Sequence, residues 1–269
     1  MRRAAHQLLD HPPVHDDPLA LPILGNAQAA AMRENPRRFE DRPFAPALRA
    51  VLAVRSRLAE DALADAVAAG VRQYVVLGAG LDTFAYRNPH PGLRVFEVDH
   101  PATQAWKRRR LADAHISVPE RVTFVAIDFA VEQLSVALRR GGLRDDEPSF
   151  FSWLGVTPYL ERATALTTLA DIAPFAARGG GVVFDYGIPP SSLAPLQRSA
   201  FEALAARVAA AGEPFRGFFE PEVLIEAVRA MGFHQISDMG PDELNGRFLS
   251  GRTDGLRVGG AVHVLAALG

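Results

Sequence analysis

The chain reads as a single α/β domain built on a seven-stranded, mostly parallel sheet with helices on both faces. Three observations predict it. From residue 73 onward, apolar runs of strand length alternate with segments of helical period, and such alternation produces parallel pairing. The first run, Tyr74 to Leu77, passes straight into Gly78-Ala79-Gly80, a turn closing a buried strand. The last two runs follow one another without a clear helix between them, which suits an antiparallel pair at the end of the sheet.

Each element has its own signal. Residues 1–48 carry Pro12, Pro13, Pro18, Pro22, Pro36, Pro43 and Pro46 between short apolar pieces, and predict short helices laid over the core. From 50 to 69 the period becomes helical, with Leu58, Ala62, Leu63, Ala66 and Val67 on one face and Gly70 as the stop. Strands are expected at about 73–78, 93–98, 122–127, 148–154 and 182–186, and the last two at 233–237 and 260–267. A short helix near 83–87 is cut off by Pro89 and Pro91. Longer helices are expected at about 102–115, with Pro101 suited to the first turn, and at 161–176, 192–211 and 220–231. The stretch 238–259 carries no assignment. Residues 190–220 form an insertion, rich in Ala, Leu and Phe, at the edge where ligands bind in open α/β sheets.

Composition excludes several chemistries. The 269 residues include no Cys, which removes disulfides, zinc thiolates and a cysteine nucleophile. Net charge is −2, so no basic field argues for nucleic acid. No apolar run approaches the ~18 residues of a membrane span, and Met1-Arg2-Arg3-Ala4-Ala5-His6 leads into no apolar signal core, so a cytoplasmic location is expected. The eight histidines show no metal-ligand spacing, and no metal is expected. Lys107-Arg108-Arg109-Arg110, which contains the sole lysine, reads as a solvated helix face.

The glycine turn carries the functional reading. Glycine admits positive φ and leaves no Cβ where a ligand must approach. About twenty residues on, the second strand ends in Asp99, whose carboxylate suits the two hydroxyls of a ribose. A dinucleotide fingerprint would place a third Gly at position 83, where this chain has Thr83. Its absence favours a nucleoside without a pyrophosphate, namely S-adenosylmethionine. Gly78, Ala79, Gly80, Asp82 and Asp99 are therefore the expected cofactor contacts, with His100 closing the ribose pocket. Asp99 also suits the N-cap of the following helix, and Glu97, on the same side of its strand, reads as a helper or a surface acid.

Val76-Leu77-Gly78-Ala79-Gly80-Leu81-Asp82-Thr83, Glu97-Val98-Asp99, Ile127-Asp128-Phe129 and Trp153-Leu154-Gly155-Val156-Thr157-Pro158-Tyr159-Leu160 resemble the leucine carboxyl methyltransferase-like family, in particular its bacterial branch of S-adenosylmethionine-dependent methyltransferases. Asp17-Pro18-Leu19-Ala20, Arg55-Ser56-Arg57 and Gly212-Glu213-Pro214-Phe215 extend the likeness over residues 17–235. The resemblance implies a class I methyltransferase fold, Rossmann-like, with strand order 3-2-1-4-5-7-6 and strand seven antiparallel. It implies that Gly78 and Gly80 line the methionine part of the cofactor and that Asp99 holds the ribose. Asp128 and the Phe129 backbone would meet the adenine, and Arg55 the cofactor carboxylate. One position departs. Leu154 stands where family members often carry Glu, which removes that carboxylate from the methionine amino group.

Methyl transfer from a sulfonium is an in-line displacement, so the protein must position donor and acceptor and exclude water. A carboxylate acceptor needs no base, whereas a hydroxyl does. Tyr159, Asp185 and Tyr186, at or just beyond the ends of strands four and five, are the candidates for that role. The expected acceptor is a small apolar molecule, with no nucleic acid or membrane partner, and the expected assembly a monomer or homodimer. Arg216 or Arg87 could pair with an acceptor carboxylate. Two other readings share the glycine turn: an NAD-dependent oxidoreductase, and a cofactor-binding protein without turnover.

Overall fold

A computed structural model describes residues 1–38, 45–128, 132–176 and 178–269. Seven strands form one sheet: β1 (Gln73–Leu77), β2 (Arg94–Asp99), β3 (Val122–Ala126), β4 (Ser149–Trp153), β5 (Gly181–Gly187), β6 (Gln235–Met239) and β7 (Val262–Leu268). Their order is β3-β2-β1-β4-β5-β7-β6, as the resemblance implies. β1 pairs in parallel with β2 and β4, and β7 runs antiparallel to both β5 and β6.

Burial follows position in the sheet. β1, β4 and β5 are buried at every residue because helices cover both faces of the centre. Edge strand β6 alternates between exposed and sheltered residues, the period-two pattern of a strand with one wet face. On one face, Val75, Leu77, Phe151 and Phe184 pack against α5 (Leu134–Arg140), α6 (Arg162–Ala176) and α8 (Pro221–Ala230). On the other, Tyr74, Val76, Phe150 and Val183 meet α3 (Ala45–Ala68) and α9 (Pro241–Phe248). Successive side chains of one strand thus feed two separate cores.

The N-terminal part forms α1 (Arg2–Leu9), a 3-10 turn at Pro22–Leu24 and α2 (Asn26–Glu34). Ala4, Ala5, Ala20, Leu24 and Met32 bury one another in a small core that also takes in Leu81, beside the glycine turn. His6 nails α1 down. Its Nε2 accepts the backbone N–H groups of Val14 and His15 at 3.0 and 3.2 Å, so the proton sits on Nδ1, which donates to Asp10 at 2.7 Å. Arg49 of α3 donates to the same carboxylate at 2.8 and 3.1 Å.

Several elements differ from expectation. The short helix after β1 is one 3-10 turn, Phe84–Tyr86, started by Asp82, whose Oδ1 accepts the Phe84 N–H at 2.9 Å. α5 has no periodic signal in the sequence, because its two turns carry only three buried side chains, Leu134, Ala137 and Leu138. The unassigned stretch 238–259 contains α9. Its signals are present in Pro241 at the first position and Asp242 and Glu243 in the first turn, where acidic groups suit the helix dipole. α4 (Pro101–Asp113) and α7 (Pro195–Ala210) stand close to expectation. Among the described residues no helix is long and apolar enough to cross a membrane.

Candidate active site

β1 ends in a sharp turn. Gly78 and Gly80 have φ of +64° and +42°, and the Gly78 and Ala79 N–H groups both point back to the Val98 carbonyl at 2.9 and 3.1 Å. A Cβ on Gly78 would lie 2.4 Å from Val156 Cγ2, whereas one on Gly80 would find nothing closer than 3.8 Å. Gly78 is thus required by packing, and the free space lies over Gly80. There the structure has a cavity of about 420 Å³. Its floor is the turn from Gly78 to Asp82, its wall Arg55, Ser152 and Leu154, and its roof the N-terminal residues Arg3 and Leu24.

Asp99 stands at the end of β2 beside this turn. Its Oδ2 accepts the Gly80 N–H at 2.6 Å and its Oδ1 the His100 N–H at 2.7 Å. Helix α4 is capped by His100, not by Asp99: His100 Nδ1 accepts the Ala102 N–H at 3.2 Å. The Asp99 carboxylate is thus bound to the glycine turn and not spent on the helix cap. Asp128 follows β3 on the neighbouring strand, and Phe129 lies outside the described residues. Asp82, besides starting the 3-10 turn, lies 3.5 Å from Arg3 Nη1.

Glu97 is neither helper nor surface acid. It is buried and bonded to Lys107 Nζ at 2.7 Å and the Tyr86 hydroxyl at 2.8 Å. Burial raises its pKa in spite of the lysine. Lys107 therefore leaves the basic run and turns inward, while Arg108 spreads over the Phe124 ring at 4.0 Å.

The second half of the site is an ion pair between α3 and β5. Arg55 Nη1 donates to Asp185 Oδ2 at 2.5 Å, and Asp185 Oδ1 accepts the Gly155 N–H at 2.6 Å. Arg55 Nε is buried without a hydrogen-bond partner among the described residues. A buried guanidinium N–H with no acceptor is an incomplete arrangement unless a ligand completes it. Asp185 is 3% exposed, so it serves Arg55 and the turn after β4 before it could serve an acceptor.

The other two expected catalytic residues part company. Tyr159 ends a 3-10 turn at Thr157–Tyr159, is 38% exposed and packs its ring 5.5 Å from that of Phe215. Burial raises its phenol, with Glu213 and Asp185 adding to the effect. Tyr186 is buried, and its hydroxyl donates to Asp238 at 3.0 Å. Burial and Asp238 push that phenol well up, and Tyr186 is not among the residues lining the cavity. Arg87 is committed as well, to Glu60 at 2.9 Å and towards Asp17 at 3.5 Å. Among the described residues no cluster of His, Asp or Glu could hold a metal ion. A larger cleft of about 600 Å³ between the 11–14 segment, α3 and residues 247–254 shares no residue with the site.

Residues 1–173 match the leucine carboxyl methyltransferase family. The chain belongs to that family. A Bacillus subtilis (strain 168) protein named "Putative S-adenosyl-L-methionine-dependent methyltransferase YktD" is 33% identical over 216 residues, which cover 80% of this chain and 71% of that protein. A Mycobacteroides abscessus protein with the same description is 33% identical over 201 residues, covering 73% of this chain and 65% of its own length. The chain thus spans about two thirds of its mycobacterial relatives. Among solved structures, a DUF574 family protein from Streptomyces avermitilis superposes with a TM-score of 0.58 at 18% identity, over 90% of this chain and 89% of its own. The apo form of the S-adenosylmethionine-dependent methyltransferase SibL gives 0.50 at 20% identity, over 82% and 57%. Both share the fold. For this leucine carboxyl methyltransferase family member the cofactor is S-adenosylmethionine, and the corner described above suits it. It offers a glycine turn with open space above, a carboxylate bonded to that turn at the end of β2 and a buried arginine Nε lacking an acceptor among the described residues.

Proposed function

We propose that the protein transfers the methyl group of S-adenosylmethionine to an oxygen of a small apolar molecule, a carboxylate in preference to a hydroxyl. The observation that carries the reading is the state of Asp185. Asp185 is 3% exposed, ion-paired with Arg55, bonded to the Gly155 N–H and not among the residues that line the cavity, so it is engaged in holding the site together and is not presented to an acceptor hydroxyl. Tyr186 is turned into the core. A hydroxyl acceptor would depend on Tyr159, whose raised phenol is a poor base. A carboxylate arrives already nucleophilic.

The cofactor supplies a methyl on a sulfonium, an electrophile that needs no activation by the protein. What this chain supplies is placement. Gly78, Ala79, Gly80 and Asp82 would line the methionine and ribose path, Asp99 the ribose hydroxyls, His100 the pocket rim and Asp128 the adenine. Arg55 would meet the methionine carboxylate, held to its task by charge-assisted bonds. On the acceptor side, Tyr159, Phe215, Phe201 and Phe218 form a run of rings 5.5–5.7 Å apart. Such an apolar cover excludes water from the reacting atoms and suits an apolar acceptor. Arg216, 54% exposed and 3.7 Å from Glu161, is the cation left to meet an acceptor carboxylate at the rim.

The test is titration calorimetry with S-adenosylmethionine, S-adenosylhomocysteine and NAD, followed by a labelled-methyl assay on apolar carboxylic acids and phenols. Micromolar S-adenosylmethionine affinity is expected, with NAD at least ~100-fold weaker, about 2.7 kcal/mol. Comparable NAD affinity would favour the oxidoreductase reading. Tight cofactor binding without transfer to any acceptor would favour a binder without turnover.

A further inference from the structure

We propose that Asp185 is a positioning residue for the cofactor carboxylate: it grips Arg55 by one nitrogen and so presents the guanidinium's other edge, Nε and Nη2, as a ready fork. The inference rests on the reading that the cavity over Gly80 takes the methionine half of the cofactor.

A guanidinium can take a carboxylate with two parallel bonds along either of two edges, and the side-on edge uses Nε and Nη2. In this structure the bond to Asp185 is made by Nη1, at 2.5 Å. Nε is buried with no partner among the described residues, and Arg55 lines the cavity. The side-on edge is thus the one left for a ligand. Its position is over-determined. Asp185 is itself held by the Gly155 N–H at 2.6 Å. Gly155 adopts φ +75°, and a Cβ there would lie 2.7 Å from Arg55 Nη2. The same glycine therefore anchors Asp185 and clears the space that the fork occupies. Arg55 and Asp185 lie 130 residues apart in the chain, brought together by α3 packing across β5.

The arrangement also bears on Leu154. That side chain lines the cavity without a charge, so the carboxylate at this corner comes from β5 and not from β4. Its task is different, because it faces the arginine and not the ligand. Arg2, Arg3 and Met1 with its amino group line the cavity too, but Arg2 donates to the Ala45 carbonyl at 3.2 Å, and Arg3 is spent on the Leu81 carbonyl, on Asp82 at 3.5 Å and towards Asp17 at 3.8 Å. Pre-orientation of Arg55 lowers the ordering cost of binding, which is where a positioning residue acts.

Two probes separate the fork from the rest of the pocket. S-adenosylhomocysteine carries the carboxylate, whereas 5′-methylthioadenosine has the same adenosine and sulfur without it. Calorimetry on the full chain should show Asp185→Ala and Gly155→Ala weakening S-adenosylhomocysteine by about 10- to 100-fold, the loss of charged hydrogen bonds. Binding of 5′-methylthioadenosine should change less than about 2-fold, since no charged contact to it is lost. Asp185→Asn should fall between, and Arg55→Lys should lose the fork while keeping the charge. Equal loss of both probes in Asp185→Ala and Gly155→Ala would reduce Asp185 to a structural role and overturn the proposal. Selective loss in Arg3→Ala alone would place the carboxylate under the N-terminal helix and overturn it too. Should Asp185→Ala not fold, Asp185→Asn decides, since it keeps the side chain's size and an oxygen for the Gly155 N–H but loses the charge that holds Arg55. If the parent shows no preference for S-adenosylhomocysteine, both the proposal and the placement of the methionine half fail. If it binds neither probe, the cofactor reading fails first.

Discussion

Asp99 binds the Gly80 and His100 N–H groups at 2.6 and 2.7 Å, so its carboxylate is held in place before any ribose arrives. Each oxygen retains lone pairs for a hydroxyl, and the helix-capping duty falls to His100. Replacing Asp99 by Ala removes two charge-assisted bonds to the ribose and should weaken S-adenosylmethionine by about 2–4 kcal/mol. Calorimetric affinity equal to the parent's would move the ribose elsewhere. Two residues back on the same strand, Glu97 is buried with Lys107 instead of exposed. Alternation along β2 assigns both acids to one side of the strand, but it says nothing of depth. The sole lysine of the chain, the seventh residue of α4 and followed there by three arginines, is what fills that depth.

The segment after β5 divides its phenylalanines between two tasks. Phe219 is buried, sets its ring at 87° to Tyr186 with centroids 6.1 Å apart, and its N–H donates to the Gly187 carbonyl at 2.9 Å. It pins the insertion to the sheet. Phe215 and Phe218 instead meet Phe201 of α7, a helix with no buried residue and with Leu196 at 84% exposure. Phe219→Ala should therefore cost stability, about 3–5 kcal/mol by denaturant unfolding. Phe218→Ala should instead raise the acceptor KM several-fold and leave cofactor affinity and stability near the parent's. Loss of fold or of cofactor binding in Phe218→Ala would mean that all the rings serve the core and that the insertion at 190–220 does not cover an acceptor.

The N-terminal segment is joined to the rest of the molecule through charge as well as apolar contact. Glu60 of α3 receives Arg87, from the turn after β1, at 2.9 Å, and His15, from the N-terminal segment, at 2.9 Å. Thr83 donates to the buried Asp17 at 2.7 Å. Burial alone would raise the Glu60 pKa, but the bonds from His15 and Arg87 hold it down at about 2, against an ordinary 4.5. A depressed carboxylate stabilises the folded state above its unfolded pKa, and the contribution is lost as pH falls through the folded value. Stability should thus decline between about pH 4.5 and about pH 2, by an amount of up to about 3 kcal/mol from this group. Glu60→Gln should flatten that slope in urea unfolding at graded pH. An unchanged slope would show that other carboxylates carry the acid sensitivity.

Much of this protein is legible from local pattern. Seven strands, the helices between most of them and the glycine turn before Asp99 all follow from periodicity over a few residues, because backbone pairing and two-sided burial act on every residue of an element. Helices as short as α5 and α9 escape that reading, since two turns hold too few core side chains to show a period. The resemblance added the strand order, which local pattern leaves open between several crossovers. What no run of residues reveals is which charges meet. Arg55 finds Asp185, Lys107 finds Glu97 and Arg87 finds Glu60 across packed elements. Such pairings depend on distance and dielectric in the folded molecule. The same packing turned Tyr186 into the core and bound up Asp185, two residues whose position beyond a strand end looked equally suited to catalysis.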